Sequence, residues 1–186
     1  AQQMARLVSA LPEFPTFRRM LDLGGGSGII SMAITAAHPT MNCTVFDRPA
    51  VAEVAREVIA EYEMQARMDV QSGDFSRDPL GGQYDLVWAS SVFNLVKADM
   101  APLMGKAYAA LNPGGVLVGC HDGMTHERTR PMITALSWLP QALMGNDFGL
   151  EQGAVAAAML QAGFRSVCSR TISTPIGPME LDIGRK

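Results

Sequence analysis

The residues best suited to chemistry lie where short apolar runs end. Asp22-Leu23 leads into Gly24-Gly25-Gly26-Ser27-Gly28, Asp47 closes Thr44-Val45-Phe46, and Gly73-Asp74-Phe75 follows Asp69-Val70-Gln71. Glycines permit a tight turn and let a ligand come close to the backbone, while the helix that follows offers unpaired N–H groups. A carboxylate at Asp47, about 20 residues past the loop, can accept from both hydroxyls of a ribose. Asp74 can accept from an adenine amino group, and Phe75 can give that ring a face or an edge. Plain structural roles exist for each: a bare strand–helix turn, a helix N-cap before Pro49 for Asp47, and a turn carboxylate beside a core phenylalanine. The three junctions taken together point to an adenosine-bearing ligand.

Imidazoles are few. His121-Asp122 ends another apolar run, and His121 has the titration range of a general base. Neighbours on a strand point to opposite faces, so adjacency alone does not pair the two. His126 lies a few residues further on, and His38 sits at a helix end before Pro39, where it suits the helix dipole. Cys43, Cys120 and Cys168 are odd in number and widely spaced. They form neither a disulfide framework nor a metal-ligand pattern, and they suit a reducing cytoplasm.

The elements that must carry these residues alternate. Strands are expected at 20–23, 44–46, 69–71, 84–88 and 116–118, with helices at 29–37, 50–62 and 101–111 between them. Asn112-Pro113-Gly114-Gly115 reads as a turn. Helices at 131–143 and 154–162 follow, then strands at 167–172 and 179–183. Strands alternating with helices imply an α/β domain with a parallel sheet covered on both faces. The last two strands lie too close for a crossover and should pair as an antiparallel hairpin. In an open sheet of this kind ligands bind at the carboxyl ends of the strands, where the acids lie. In 131–143, Leu136, Leu139 and Leu143 recur at helical spacing, which reads as core packing. Met124, Met132, Trp138 and Met144 are candidates to line an apolar acceptor pocket.

Composition bounds the function. The chain has 186 residues, 48% apolar and 18% charged, which describes one folded domain rather than a disordered segment. A net charge of −3 offers no basic excess for nucleic acid. No apolar run reaches the roughly 18 residues of a membrane span.

The loop spacing separates two ligand classes. A dinucleotide fingerprint requires G-x-G-x-x-G, but here Ile29 stands at the third glycine position and the glycine itself is Gly28. Gly24-x-Gly26-x-Gly28 after an acidic strand end resembles the first motif of methyltransferases that use S-adenosyl-L-methionine. Further segments extend the likeness: VFDRPAV (45–51), GDFSRDPL (73–80), YDLVWASSV (84–92), LNPGGVLV (111–118) and the closing 164–186. Together they resemble the catalytic domain of the S-adenosylmethionine-dependent O-methyltransferases of plant phenolic and bacterial polyketide or hydroxyindole type. The resemblance implies a Rossmann-like, doubly wound, seven-stranded sheet, mostly parallel with an antiparallel last strand. It also implies cofactor contacts from Asp22, Gly24, Gly26, Asp47, Asp74, Phe75 and Ser90, with Asp22 drawing the cofactor's ammonium group.

Two departures from the family stand out. Members carry an upstream portion that supplies dimerisation and part of the acceptor pocket. On this reading residues 1–16 are the remnant of an upstream helical segment and 17–186 the cofactor-binding catalytic domain, which dimerises only if that portion is present. Many members also place a catalytic His-Asp pair after the fourth strand, where this chain reads Asn94-Leu95. An amide does not titrate as a base. Asn94 can hold the acceptor, and His121 is the alternative base. The expected function is methyl transfer to a small, largely apolar acceptor, chiefly at oxygen. Carbon methylation, or cofactor binding without catalysis, are the readings that Asn94 keeps open. A NAD-dependent oxidoreductase is opposed by the loop spacing and the terminal hairpin.

Overall fold

A computed structural model describes all residues, Ala1–Lys186. It contains helices α1 (Gln2–Ser9), α2 (Ile29–Ala36), α3 (Pro49–Glu61), α4 (Met100–Ala110), α5 (Met132–Leu143) and α6 (Ala154–Ala162). The strands are β1 (Arg19–Leu23), β2 (Asn42–Asp47), β3 (Met68–Ser72), β4 (Tyr84–Ser90), β5 (Leu111–His121), β6 (Ser166–Thr174) and β7 (Gly177–Arg185). They form one seven-stranded sheet in the order β3-β2-β1-β4-β5-β7-β6. β1 to β5 pair in parallel, while β7 runs antiparallel to both β5 and β6. This is the class I methyltransferase arrangement, and it matches the doubly wound sheet and terminal hairpin expected from the sequence.

Each central strand is apolar because both of its faces are covered. Met20 of β1 joins Val45, Trp88 and Val118 in a core under α1, α2 and α3. Leu21 and Leu23 join Phe46, Val87, Phe93 and Leu117 in a second core under α4 and α6. Residues 1–16 pack into the first core through Met4, Ala5, Val8, Leu11 and Phe14. The Asn112–Gly115 turn proves to lie inside β5, where the register against β4 shifts between Tyr84 and Leu86. Gly114 takes φ +78 there, a backbone state that glycine adopts without strain.

The register fixes the functional pole. Leu23 pairs with Phe46 and Ala89, and Asp47 pairs with Ser72. The chain leaves β1, β2, β3 and β4 at one edge of the sheet. Between β1 and β4 the strand order reverses, which opens a crevice at that edge.

The core reading of the 131–143 helix is corrected. Leu136, Leu139 and Leu143 are 58%, 48% and 80% exposed, and Thr134 is the one buried residue of α5. Helical spacing gathers apolar residues on one face but does not determine what covers that face. No helix is long and apolar enough to cross a membrane.

Candidate active site

The crevice is a cleft of 680 Å3, and Gly24, Asp47, Asp74, Phe75 and Ser90 all contribute to its walls. The structure thus brings five of the expected cofactor residues to one surface. Gly24 has φ +65, and a Cβ there would stand 2.5 Å from Val92 Cγ2 and 3.7 Å from the Phe75 ring. Only glycine lets the β1 turn pass beneath the cleft at this closeness.

Asp47 is not a helix cap. Arg48 occupies the N-cap of α3, which has no side-chain cap, and Pro49 starts the helix. The Asp47 carboxylate instead accepts from the Gly26 N–H at 2.8 Å and from the Arg48 N–H at 2.7 Å. Gly26 therefore acts by tying the loop to β2. It is not itself a wall of the cleft.

Asp74 sits both in a local turn and at the cleft wall. Its Oδ1 accepts from the Ser76 N–H at 2.9 Å in a local turn, and the side chain also reaches the cleft. Phe75 is buried at 9% exposure, with its carbonyl held by Lys106 Nζ at 2.6 Å.

Asp22 lies behind the loop and does not face the cleft. It is 2% exposed, and a Cβ on Gly25 would fall 2.4 Å from its Oδ2, which has no hydrogen-bond partner. Burial raises its carboxyl to about 7; the Ser31 hydroxyl opposes the rise and the nearby Asp47 charge adds to it.

His121 is placed away from the cleft, which corrects its expected role as a base. It is fully buried, with Nδ1 on the Asp122 carbonyl at 2.7 Å and Nε2 on Asp182 Oδ2 at 2.8 Å. A base needs a free lone pair aimed at the acceptor, and both ring nitrogens are engaged. Glu180 completes a buried group with His121 and Asp182. It accepts from the Gly153 N–H at 3.0 Å, and burial raises its carboxyl. His38 is buried against Phe14 and His126 is exposed, and neither lines the cleft.

Asn94 is 1% exposed, and its Nδ2 donates to Asp122 Oδ2 at 3.0 Å and to the Phe148 carbonyl at 2.9 Å. Sequence reasoning missed Val51, Ser91, Val92, Leu95, Val96 and Phe148 as cleft residues. Position after a strand end could have found Ser91 and Val92. Phe148 comes from a distant loop and left no local signal. Of the acceptor-pocket candidates, Met124 is buried, whereas Met132 and Met144 are 58% and 76% exposed. Met124 and Trp138 line a second cavity of 390 Å3.

The cleft fits an adenosine-bearing cofactor. Two carboxylates, a phenylalanine ring and a glycine floor that a Cβ would fill converge on one space.

Fold and cleft define a class I methyltransferase domain, and comparison with known proteins narrows this. A family model describing an O-methyltransferase domain matches residues 2–165. The chain belongs to that family. Among similar proteins, an N,N-dimethyltransferase, OxyT, of Streptomyces rimosus is 29% identical over 95% of this chain and 50% of its own length. An L-tyrosine C(3)-methyltransferase of Streptomyces lavendulae is 26% identical over 84% of this chain and 44% of its own. Among solved structures, human N-acetylserotonin methyltransferase in complex with SAM superposes with a TM-score of 0.77. It is 26% identical, and the match covers 98% of this chain and 51% of the other. PigF with SAH gives a TM-score of 0.81 at 26% identity, covering all of this chain and 55% of the other. The chain spans about half the length of these relatives.

Proposed function

We propose that this domain binds S-adenosyl-L-methionine and transfers its methyl group to a small, largely apolar acceptor. The observation that carries the reading is the convergence of Gly24, Asp47, Asp74 and Phe75 on one cleft at the strand-order switch. The cofactor, when bound, supplies a methyl group activated by a sulfonium. Asp47 would take the ribose hydroxyls, Asp74 the adenine amino group and Phe75 the adenine ring. Gly24 keeps the floor low enough for the ligand, and the Asp47–Gly26 bond holds the loop in register with β2. Asp22 lies behind that loop, against Gly25, and does not reach the cofactor space.

An activated donor leaves the protein chiefly the task of alignment. Leu95, Val96 and Phe148 give the acceptor side of the cleft an apolar wall. The relatives' names include methylation at oxygen, nitrogen and carbon. No imidazole lines the cleft, so a hydroxyl acceptor would not be deprotonated by a histidine there.

Calorimetric titration with S-adenosyl-L-methionine, S-adenosylhomocysteine and NAD tests the reading. Binding of the first two is expected. Binding of NAD alone would overturn it. Tight cofactor binding with no turnover over a broad acceptor panel would instead support a binding module.

A further inference from the structure

Two stretches that line the cofactor cleft are tied to each other from outside it. Leu95 and Val96 belong to one stretch and Phe148 to the other. Lys97 follows the first pair, and its Nζ donates to Asp147 Oδ2 at 2.8 Å and to the Gly149 carbonyl at 3.1 Å. One ammonium thus grips the chain on both sides of Phe148. The Leu150 carbonyl accepts from the Met124 N–H at 2.8 Å, which holds the far end of the same segment. The Phe148 ring meets Trp138 of α5 edge to face, with centroids 5.5 Å apart.

Asp147 has a second cation. Both terminal nitrogens of Arg128 donate to its carboxylate, one to each oxygen. This approach needs a glycine at 149, where a Cβ would stand 2.8 Å from Arg128 Nη2 and 2.7 Å from Met124 Sδ. Arg128 ends a run of three left-handed residues, with His126, Glu127 and Arg128 at φ 52, 55 and 66. Residues other than glycine visit that conformation singly, and a run persists only where its surroundings hold it. Backbone bonds between Thr125 and Arg130 close the turn. The Arg128–Asp147 pair is the side-chain bond that ties it to the rest of the protein. Arg128 first and Lys97 second hold the Asp147 carboxyl down at about 2, so it stays charged near neutral pH. An isolated exposed ion pair contributes little. Here one carboxylate gathers three segments, and two of them carry cleft residues.

We infer that Lys97, Asp147 and Arg128 form a latch that holds Phe148 in the wall of the cofactor cleft and sets how fast the cofactor leaves. Latched, the Phe148 side of the cleft is fixed against the Leu95–Val96 side. Unlatched, the turn at 126–128 is free to relax, and the 147–149 segment loses both of its cations. Lys97 and Asp147 lie outside the cleft and act through Phe148, so they are positioning residues. Their side chains are 36% and 54% exposed, which leaves the latch open to screening by salt. The latch presupposes the cofactor reading of the cleft given above.

Release of S-adenosylhomocysteine from the immobilised chain, followed by surface plasmon resonance at low salt and at tenfold higher salt, tests the latch. Wild-type release should be at least threefold faster at the higher salt. Lys97→Met keeps an apolar stem without the charge. It should release the ligand at least fivefold faster at low salt and respond little to added salt. Lys97→Arg keeps a cationic donor and should restore slow, salt-sensitive release. Asp147→Ala should repeat the Lys97→Met result and gives a second reading should either variant fail to fold. Trp138 emission reports the Phe148 contact without any ligand, against a constant background from Trp88 in the first core. It should shift in Lys97→Met and return in Lys97→Arg. Wild-type release from Lys97→Met and Asp147→Ala, undiminished salt dependence in them, no rescue by Lys97→Arg, or unchanged Trp138 emission would overturn the latch and leave the cofactor reading intact. Failure of the wild-type chain to bind S-adenosylhomocysteine would overturn that reading and the latch with it.

Discussion

The Asp47 carboxylate and the Gly26 N–H lie 2.8 Å apart and join the end of β2 to the glycine loop after β1. The bond is charge-assisted, and it leaves Asp47 at the wall of the cleft. Asp47→Ala should lose about 1.5–3 kcal/mol of stability, the range for a hydrogen bond to a charged group. Affinity for S-adenosyl-L-methionine should fall at least tenfold, because the ribose acceptor goes with it. Asp47→Asn keeps an acceptor for Gly26 and should recover most of the stability but little of the affinity. Chemical denaturation and calorimetry on the two variants separate the contributions, and wild-type affinity in Asp47→Ala would remove Asp47 from the binding site.

Gly24 and Gly26 both have positive φ, +65 and +59, but their surroundings differ. At Gly26 a Cβ meets nothing within 4 Å, so Gly26→Ala should cost only the left-handed backbone, about 1–2 kcal/mol. At Gly24 the same strain adds to a collision with Val92, about 1–3 kcal/mol more. Adding Val92→Ala should relieve the collision and leave the strain. Equal losses in the two single variants would show that Val92 gives way freely.

These acids and glycines were legible in the sequence because they belong to local patterns. A strand that ends in Asp or Gly fixes which pole its terminal residue reaches, and the β-α alternation sets every parallel strand end at that pole. His121 was not legible in the same way. Its partner Asp182 is 61 residues away and is delivered by the antiparallel register of β7 on β5. Phe148 reaches the cleft from a loop with no periodicity. In α5, spacing identified an apolar face correctly, yet the face is exposed, since periodicity is the same whether or not a neighbour covers it.

The Asp22 carboxyl, raised to about 7 by burial, makes stability depend on pH. In the unfolded chain the group titrates near 3.9. Between those values the folded state keeps a proton that the unfolded state has released. Stability from this group therefore falls as pH rises from about 4 to about 7, then levels off. The full effect is on the order of 4 kcal/mol. Asp22→Asn should be more stable than the wild type at pH 8, with the gain shrinking toward pH 4. Urea denaturation at pH 5 and pH 8 measures it. A gain independent of pH would mean that the Asp22 carboxyl titrates as it does in water.

The His121–Asp182 pair is fully buried, and Ser169 Oγ donates to the other Asp182 oxygen. Removing one partner of such a pair leaves the other buried without it. His121→Ala should lose about 3–5 kcal/mol of stability. Asp182→Asn keeps an acceptor for the ring and should lose less, so at least one variant stays folded for study. Because the pair lies behind the cleft wall, folded variants should bind S-adenosylhomocysteine with wild-type affinity. Denaturant midpoints and binding titrations together decide the matter. A variant of wild-type stability with abolished methyl transfer would return His121 to the chemistry.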